Sequence, residues 1–212
     1  MSKIRILIAD DHPIVREGYK KILSDTPDMV VADEAENGQE VLNFIRKKPY
    51  DLILLDISMP GRSGLEILKE LKNEKPRLPV LILSIYPEEQ YAVRAFRAGA
   101  SGYLTKASAP NELISAIRKI SRGGRYISSS LAEQLTYYLD EDAEKPLHEI
   151  LSDREYQVML MIASGKTVSE IASELCLSVK TISTYRSHIL EKMKMKNNAE
   201  ITLYAVRNKL VG

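Results

Sequence analysis

Along the first part of the chain, short apolar runs alternate with longer segments whose apolar residues return every three or four positions. The runs are Lys3–Ala9, Met29–Ala35, Asp51–Asp56, Pro79–Ser84 and Ser101–Leu104. They are rich in Ile, Leu and Val, as strands buried on both faces should be. The segments between them read as amphipathic helices. Ile14, Val15, Gly18, Ile22 and Leu23 form one stripe. Val41, Leu42 and Ile45 form the next, opened by Asn37 with Glu40 three residues on, the spacing of a capping pair. Leu65, Leu68 and Leu71 follow Gly64; Tyr91, Val93, Ala95 and Phe96 precede Gly99, which reads as a helix stop. Leu113, Ile114, Ile117 and Ile120 complete the set. Five strands alternating with five helices predict an α/β domain with a doubly wound parallel sheet and right-handed crossovers.

Gly123-Gly124 ends that pattern. Ser128 to about Leu139 has the spacing of one more short helix, carrying Leu131, Leu135 and Leu139. Residues 140–146 are acidic, end in proline and lack periodicity, so they read as a linker. The predicted divisions are 1–124, a connecting stretch 125–147 and a second domain 148–212. After His148 only helical patterns remain. Ser152-Asp-Arg-Glu155 and Thr167-Val-Ser-Glu170 have the form of capping boxes, with Leu151 and Tyr156 at staple positions. The first opens a helix carrying Val158, Leu160, Met161 and Ile162 and ending at Gly165; the second opens a short one carrying Ile171, Ala172 and Leu175. The tight connection Cys176-Leu177-Ser178 leads to a longer helix with Val179, Ile182, Ile189 and Met193 inward. Asn197 caps a last helix carrying Ile201, Leu203, Tyr204, Val206 and Leu210. A short helix, a tight turn and a longer helix with a polar outer face is a helix-turn-helix pattern in a small all-α domain.

Net charge changes little, with 30 Lys and Arg against 29 Asp and Glu. Its distribution says more. Between Ser178 and Asn197 stand Lys180, Arg186, Lys192, Lys194 and Lys196 against one acid, Glu191, a bias that suits phosphate contact. One cysteine, Cys176, excludes an internal disulfide and reads as a small core residue in a reducing compartment. No signal peptide and no bilayer-length apolar run is visible, so a cytoplasmic protein without membrane partners is expected.

Candidate chemistry lies where the strand runs end. Asp10-Asp11, Asp56, Ser84 and Lys106 each stand where a predicted strand meets its following loop. Parallel α/β sheets bind ligands beyond the carboxyl ends of their strands. Each residue alone has an ordinary explanation: a helix cap, a turn aspartate, a strand-end hydroxyl, a solvated lysine. Together at one edge they equip a site for moving a phosphoryl group onto a carboxylate. Acids suit Mg²⁺, a hard cation that keeps waters for a phosphate oxygen. A hydroxyl and an ammonium suit the phosphate. His12, His148 and His188 lack metal-ligand spacing and read as structural or exposed.

With these segments in order, the chain resembles a bacterial two-component response regulator of the NarL/FixJ class, with a LuxR-type helix-turn-helix. The resemblance covers nearly the whole chain. It rests on Ile8-Ala-Asp-Asp-His-Pro13, Leu54-Leu-Asp-Ile-Ser-Met-Pro-Gly61 and Gly99-Ala-Ser-Gly-Tyr-Leu-Thr-Lys106 in the first half. In the second half it rests on Leu151-Ser-Asp-Arg-Glu155, Ile171-Ala-Ser-Glu-Leu175 and Ser178-Val-Lys-Thr-Ile182. It implies a flavodoxin-like receiver domain in which Asp56 accepts phosphate from a sensor histidine kinase. Asp11, Asp56 and the Ser58 carbonyl would bind Mg²⁺, with Asp10 acting through a metal-bound water. Lys106 would pair with the phosphoryl group and Ser84 would hydrogen-bond it. Tyr103 matches an aromatic switch position. Many receivers carry proline after this lysine, where this chain has Ala107. The resemblance also implies a DNA-bound homodimer joined through Asn198 to about Lys209, and no enzyme activity beyond self-catalysed phosphotransfer and dephosphorylation.

The family's base-reading slots fall on Ser183, Thr184 and Ser187, small side chains without the bidentate geometry of Arg, Asn or Gln. Lys180, Thr181, Arg186 and Lys192 suit backbone contact better. Two rivals stand beside this reading. An aspartyl-phosphate phosphatase of the haloacid-dehalogenase type wants a second Asp two residues after its nucleophile, where this chain has Ser58. A protein-binding module without a DNA role leaves the helix-turn-helix pattern unexplained.

Overall fold

A computed structural model describes residues 3–128, 131–132 and 146–211. The chain divides into two compact units, residues 1–135 and 136–212. Of the helix expected over 128–139, Leu131 and Ala132 are helical and the rest, apart from Ser128, lies outside the described residues, as does all of the expected linker but Pro146.

The first unit is a five-stranded parallel sheet in the order β2-β1-β3-β4-β5. Its strands are β1 (Ile4–Ala9), β2 (Met29–Ala35), β3 (Leu52–Asp56), β4 (Val80–Ser84) and β5 (Gly102–Thr105). The helices between and after them are α1 (Pro13–Ser24), α2 (Gly38–Lys47), α3 (Gly64–Glu74), α4 (Glu88–Arg97) and α5 (Pro110–Ser121). Strands β3 and β4 are buried along their whole length, as their unbroken apolar sequences require. Strand β2 differs: only its end residues Met29 and Ala35 are buried, and Val30 is exposed, because it is an edge strand. One face of the sheet buries Ile6, Ile8, Leu52, Leu54, Leu81 and Leu83 against Leu113, Ile117 and Ile120 of α5 and Tyr19 and Leu23 of α1.

Helix α1 buries only part of the stripe its sequence suggested: Leu23 is buried, and Val15 and Ile22 pack half-buried against the core. Ile14 is 87% exposed, Gly18 is exposed, and the inward residues are Arg16, Tyr19 and Leu23. The reason is electrostatic. The Arg16 guanidinium donates to the Asp10 carbonyl at 2.7 Å and reaches Glu34 at 3.2 Å and Glu36 at 2.6 Å. A guanidinium whose donors are satisfied can be buried, and it turns the helix with it.

In the second unit a 3₁₀ turn (Leu147–Ile150) precedes α6 (Asp153–Ala163), α7 (Val168–Glu174), α8 (Val179–Lys192) and α9 (Asn198–Arg207). Both expected capping boxes form, at Ser152 with Glu155 and at Thr167 with Glu170. Helix α6 packs on α8 and α9, and α7 packs on α8. Ile182, Ile189 and Met193 face inward as expected, but Val179, in the first turn of α8, is 51% exposed. In α9, Ile201 and Ala205 are buried while Leu203 and Val206 are about half exposed. Cys176 is an exposed residue, not a core one. It takes φ 53° just past the end of α7, and Leu177 N–H closes the turn on the Ala172 carbonyl at 2.9 Å. That left-handed position directs the cysteine outward and leaves Leu175 as the buried residue.

Candidate functional site

The sheet order reverses direction at β1 and β3, so their carboxyl ends open a crevice. Asp10 and Asp11 follow β1 and Asp56 ends β3. Ser84 ends β4, and Lys106 follows β5. Asp10, Asp56 and Ser84 are buried, while Asp11 is partly exposed. Carboxylate oxygens of Asp10, Asp11 and Asp56 lie within 4.8 Å of one another. The ammonium of Lys106 crosses the sheet edge to them, 2.9 Å from Asp56 Oδ2 and 2.6 Å from Asp10 Oδ2. Its own backbone N–H donates to the Ser84 carbonyl at 2.7 Å, locking the β4 and β5 ends together.

Burial pushes the Asp56 carboxyl above its usual range, with Lys106 opposing and Asp10 adding to the rise. Burial alone would pull Lys106 down, but the carboxylates of Asp56 and Asp10 outweigh it and hold the ammonium above its usual range. The site is therefore a buried, electrically strained group of oxygens that gains from a further cation. Its donors are hard carboxylate oxygens, which fit a hard divalent ion. Around them, Ser58 N–H donates to Asp56 Oδ1 at 3.1 Å and His12 N–H donates to Asp10 Oδ1 at 2.9 Å.

His12 is exposed, as expected, yet it stands against the acid pair. Its Nδ1 lies 3.0 Å from Asp11 and 3.3 Å from Asp10, within the same group of possible ligands. Adjacency in sequence to the acid pair was the available signal; spacing rules built for isolated ligands pass over it. His188 keeps to an outer position 3.6 Å from Glu155, and His148 pairs its Nδ1 with the Tyr204 hydroxyl at 2.9 Å.

Gly64 is a second residue that sequence reasoning used only as a helix start. A Cβ there would stand 2.2 Å from the Asp56 carbonyl oxygen and 2.7 Å from Ile57 Cα. Ser63 caps α3 with Glu66 in a capping box, and Gly64 N–H donates to the Ile57 carbonyl at 2.9 Å. The helix start is thus pressed onto the backbone that carries Asp56. Both contacts are backbone atoms, which cannot rotate away. Gly64→Ala should cost at least about 2 kcal/mol in denaturant unfolding, and an unchanged midpoint would mean that the loop yields freely.

Ser84 accepts a hydrogen bond from Tyr86 N–H at 3.0 Å through its side-chain oxygen. Tyr103 is turned inward, 1% exposed, and its hydroxyl donates to the Tyr86 carbonyl at 2.8 Å. The hydroxyl of Ser84 and the ring of Tyr103 therefore meet on one loop, between β4 and α4.

In the second unit, Lys180, Ser183, Thr184 and Ser187 form one exposed stripe along α8. The hydroxyls of Ser183, Thr184 and Ser187 donate to the carbonyls four residues back, Val179, Lys180 and Ser183, at 2.9, 3.0 and 3.0 Å. Their outward oxygens are left as acceptors. The other predicted contact residues have work inside the unit. Thr181 closes the N-cap: its N–H donates to Ser178 Oγ at 3.0 Å and the two hydroxyl oxygens lie 2.8 Å apart. Arg186 donates to Asn198 at 2.6 Å. Lys192 bonds both carboxylate oxygens of Glu155, at 2.7 and 2.9 Å. It ties the end of α8 to the capping box of α6.

A crevice of this kind joined to a helix-turn-helix unit defines a class of two-domain regulators, and sequence comparison agrees. Residues 6–118 match the response regulator receiver domain and residues 149–205 match the bacterial regulatory proteins of the luxR family. The chain belongs to the response regulators with a LuxR-type DNA-binding domain. It is 40% identical over 209 residues to the response regulator GacA of Pseudomonas protegens, covering 98% of each chain. It is 38% identical over 209 residues to the response regulator UvrY of Escherichia coli, covering 98% of this chain and 95% of that one. RcsB from Salmonella enterica serovar Typhimurium, solved bound to promoter rprA with the phosphomimetic BeF₃⁻, is 27% identical. That likeness covers 96% of this chain and 99% of RcsB, with a TM-score of 0.65. Among the described residues no helix is long and apolar enough to cross a membrane.

Proposed function

We propose that this response regulator accepts a phosphoryl group on Asp56 from a sensor histidine kinase and, as a homodimer in the cytoplasm, binds DNA to regulate transcription. The observation that carries the reading is the meeting of three carboxylates with Lys106 at the switch point of the sheet. Asp56 is the nucleophile: it ends β3 buried in the crevice, with Ser58 N–H on one carboxylate oxygen and Lys106 on the other. Asp11, Asp56 and the Ser58 carbonyl would hold Mg²⁺, with Asp10 one water away. The ion, when bound, offsets the repulsion among the carboxylates and neutralises charge on the incoming phosphate.

Attack by an Asp56 oxygen on phosphorus forms an acyl phosphate and releases the donor's leaving group. The protein's part is position and charge rather than an acid–base pair, so no further enzyme activity is assigned to it. Lys106 already spans Asp10 and Asp56 and would transfer its ion pair to the new phosphoryl oxygens. Ser84 would turn to hydrogen-bond them, which ends its hold on Tyr86 N–H. The loop carrying Tyr86 and the Tyr103 hydrogen bond is then the element whose balance phosphorylation shifts.

Lys106→Ala should keep part of the Mg²⁺-dependent labelling by acetyl phosphate yet lose most of the phosphorylation-driven gain in dimer and DNA affinity. Sizing chromatography and gel shift on the labelled protein read this. A labelled Lys106→Ala protein that dimerises like wild type would remove Lys106 from the coupling.

RcsB seated on a promoter in the presence of a phosphomimetic supports the DNA half of the proposal. The exposed apolar residues Leu203 and Val206 on α9 support that helix as the contact between copies. Two recognition helices related by a twofold axis reach major grooves about 10 base pairs apart or a multiple of that.

A further inference from the structure

At the opposite edge of the receiver sheet from Asp56 lies a pocket of about 410 Å³. It is lined by Lys72, Arg77, Gly99, Ser101, Gly123 and Arg125 among others. The cations there are Lys72, Arg77 and Arg125, and none of the described lining residues is acidic. Elsewhere on this domain several cations are matched: Arg46 with Glu74, Lys48 with Asp33, Arg118 with Asp28. Among the described residues, no carboxylate pairs with Lys72, Arg77 or Arg125.

Lys72 is fixed rather than dangling. Its stem crosses Gly99, where a Cβ would lie 2.9 Å from Lys72 Cγ, and Gly99 holds φ 101°. Its ammonium donates to the Leu78 carbonyl at 2.6 Å. Partial burial and the nearby Arg125 both pull the amine below its usual range. A half-buried ammonium beside a guanidinium, without a counter-charge, raises the free energy of the folded state. The arrangement gains when an anion enters. Ser101 can add a hydroxyl donor: its oxygen already accepts from Val80 N–H at 3.4 Å, which leaves its proton free to point into the pocket.

We propose that this pocket binds a small diphosphate anion, with Lys72, Arg77 and Arg125 as its charged ligands. Three cations of which two are forked guanidinium groups suit an anion with several oxygens on adjacent phosphorus atoms better than a single phosphate. Inorganic pyrophosphate and the diphosphate of a nucleotide share that chemistry.

The test is calorimetric titration of the full-length protein with pyrophosphate at physiological salt and with divalent cations chelated. Under those conditions the three carboxylates around Asp56 repel the anion, and the arginine variants separate heat at this pocket from heat at the basic face of α8. Saturable one-to-one binding is expected. Arg125→Gln and Arg77→Gln, both outside the core, should each weaken it about tenfold or more. Lys21→Gln, at an exposed position of α1, should leave it unchanged. Orthophosphate and AMP should bind more weakly than pyrophosphate by about tenfold. ADP equal to pyrophosphate identifies the bare diphosphate as the determinant, and ADP much tighter identifies a nucleotide; either supports the site. Lack of saturable binding, indifference to both arginine substitutions, or equal affinity for orthophosphate would overturn it. So would binding of an acidic peptide in place of pyrophosphate.

Discussion

Protein carrying Asp56→Asn should take up no phosphoryl label from acetyl phosphate in the presence of Mg²⁺, and its DNA affinity should not respond to the donor. The amide is neither a nucleophile nor an anionic ligand. The substitution is nearly isosteric in a fully packed position, so packing is kept. It also removes a charge that burial disfavours. The sign follows from the raised Asp56 carboxyl. A group bound more tightly to its proton in the folded state than in the unfolded one costs stability as pH rises through its titration. At neutral pH, without divalent ions, Asp56→Asn sheds that cost but also loses the ion pair that holds Lys106 above its usual range, so it should unfold at a temperature close to that of wild type. Loss of label together with retained stability isolates the chemistry. A hydroxylamine-sensitive label of full strength on the variant would move the acceptor to another carboxylate, Asp10 or Asp11 being the nearest.

Asp56 was legible because strand ends are legible. A run of aliphatic residues closing on an acid gives both the strand and the direction of its last side chain. Reading the residues at strand ends also located Asp10, Ser84 and Lys106, and the sheet order brought them together as expected. Capping boxes were legible for a related reason: their chemistry is local, within four residues. What sequence periodicity missed depends on partners far along the chain. Arg16 is buried because Glu34, Glu36 and the Asp10 carbonyl satisfy it, and it takes the place that Ile14 and Gly18 seemed to claim. Gly64 reads as an unremarkable helix start until the Asp56 backbone is found 2.2 Å from where its Cβ would be. Cys176 looks like a small core residue until the turn takes a left-handed φ and directs it outward. Lys180 and Lys192 read alike as backbone contacts in the sequence, yet ion pairing separates Lys192, engaged with Glu155, from Lys180, which is exposed.

That separation sets the second large effect. Lys180→Gln should weaken DNA binding of the phosphorylated dimer on the order of 100-fold, since each subunit loses one charge-assisted phosphate contact. The loss should fall on all DNA sequences alike. It should also flatten the dependence of log K on log salt by about 2, close to one counterion per subunit. Lys192→Ala should behave differently. It frees the Glu155 carboxylate that its ammonium helps hold below the usual range, so it should lower unfolding stability as well as DNA affinity. Ser187→Ala should leave overall affinity within about tenfold and alter base preference at one position of each half-site. Its hydroxyl proton is committed to the Ser183 carbonyl, so the oxygen can only accept. Acceptors in the major groove select the exocyclic amines of adenine or cytosine. Selection from a site library at two salt concentrations measures all three variants at once. Should Lys180→Gln change base preference while Ser187→Ala changes none, the face of α8 that enters the groove is not the stripe from Lys180 to Ser187.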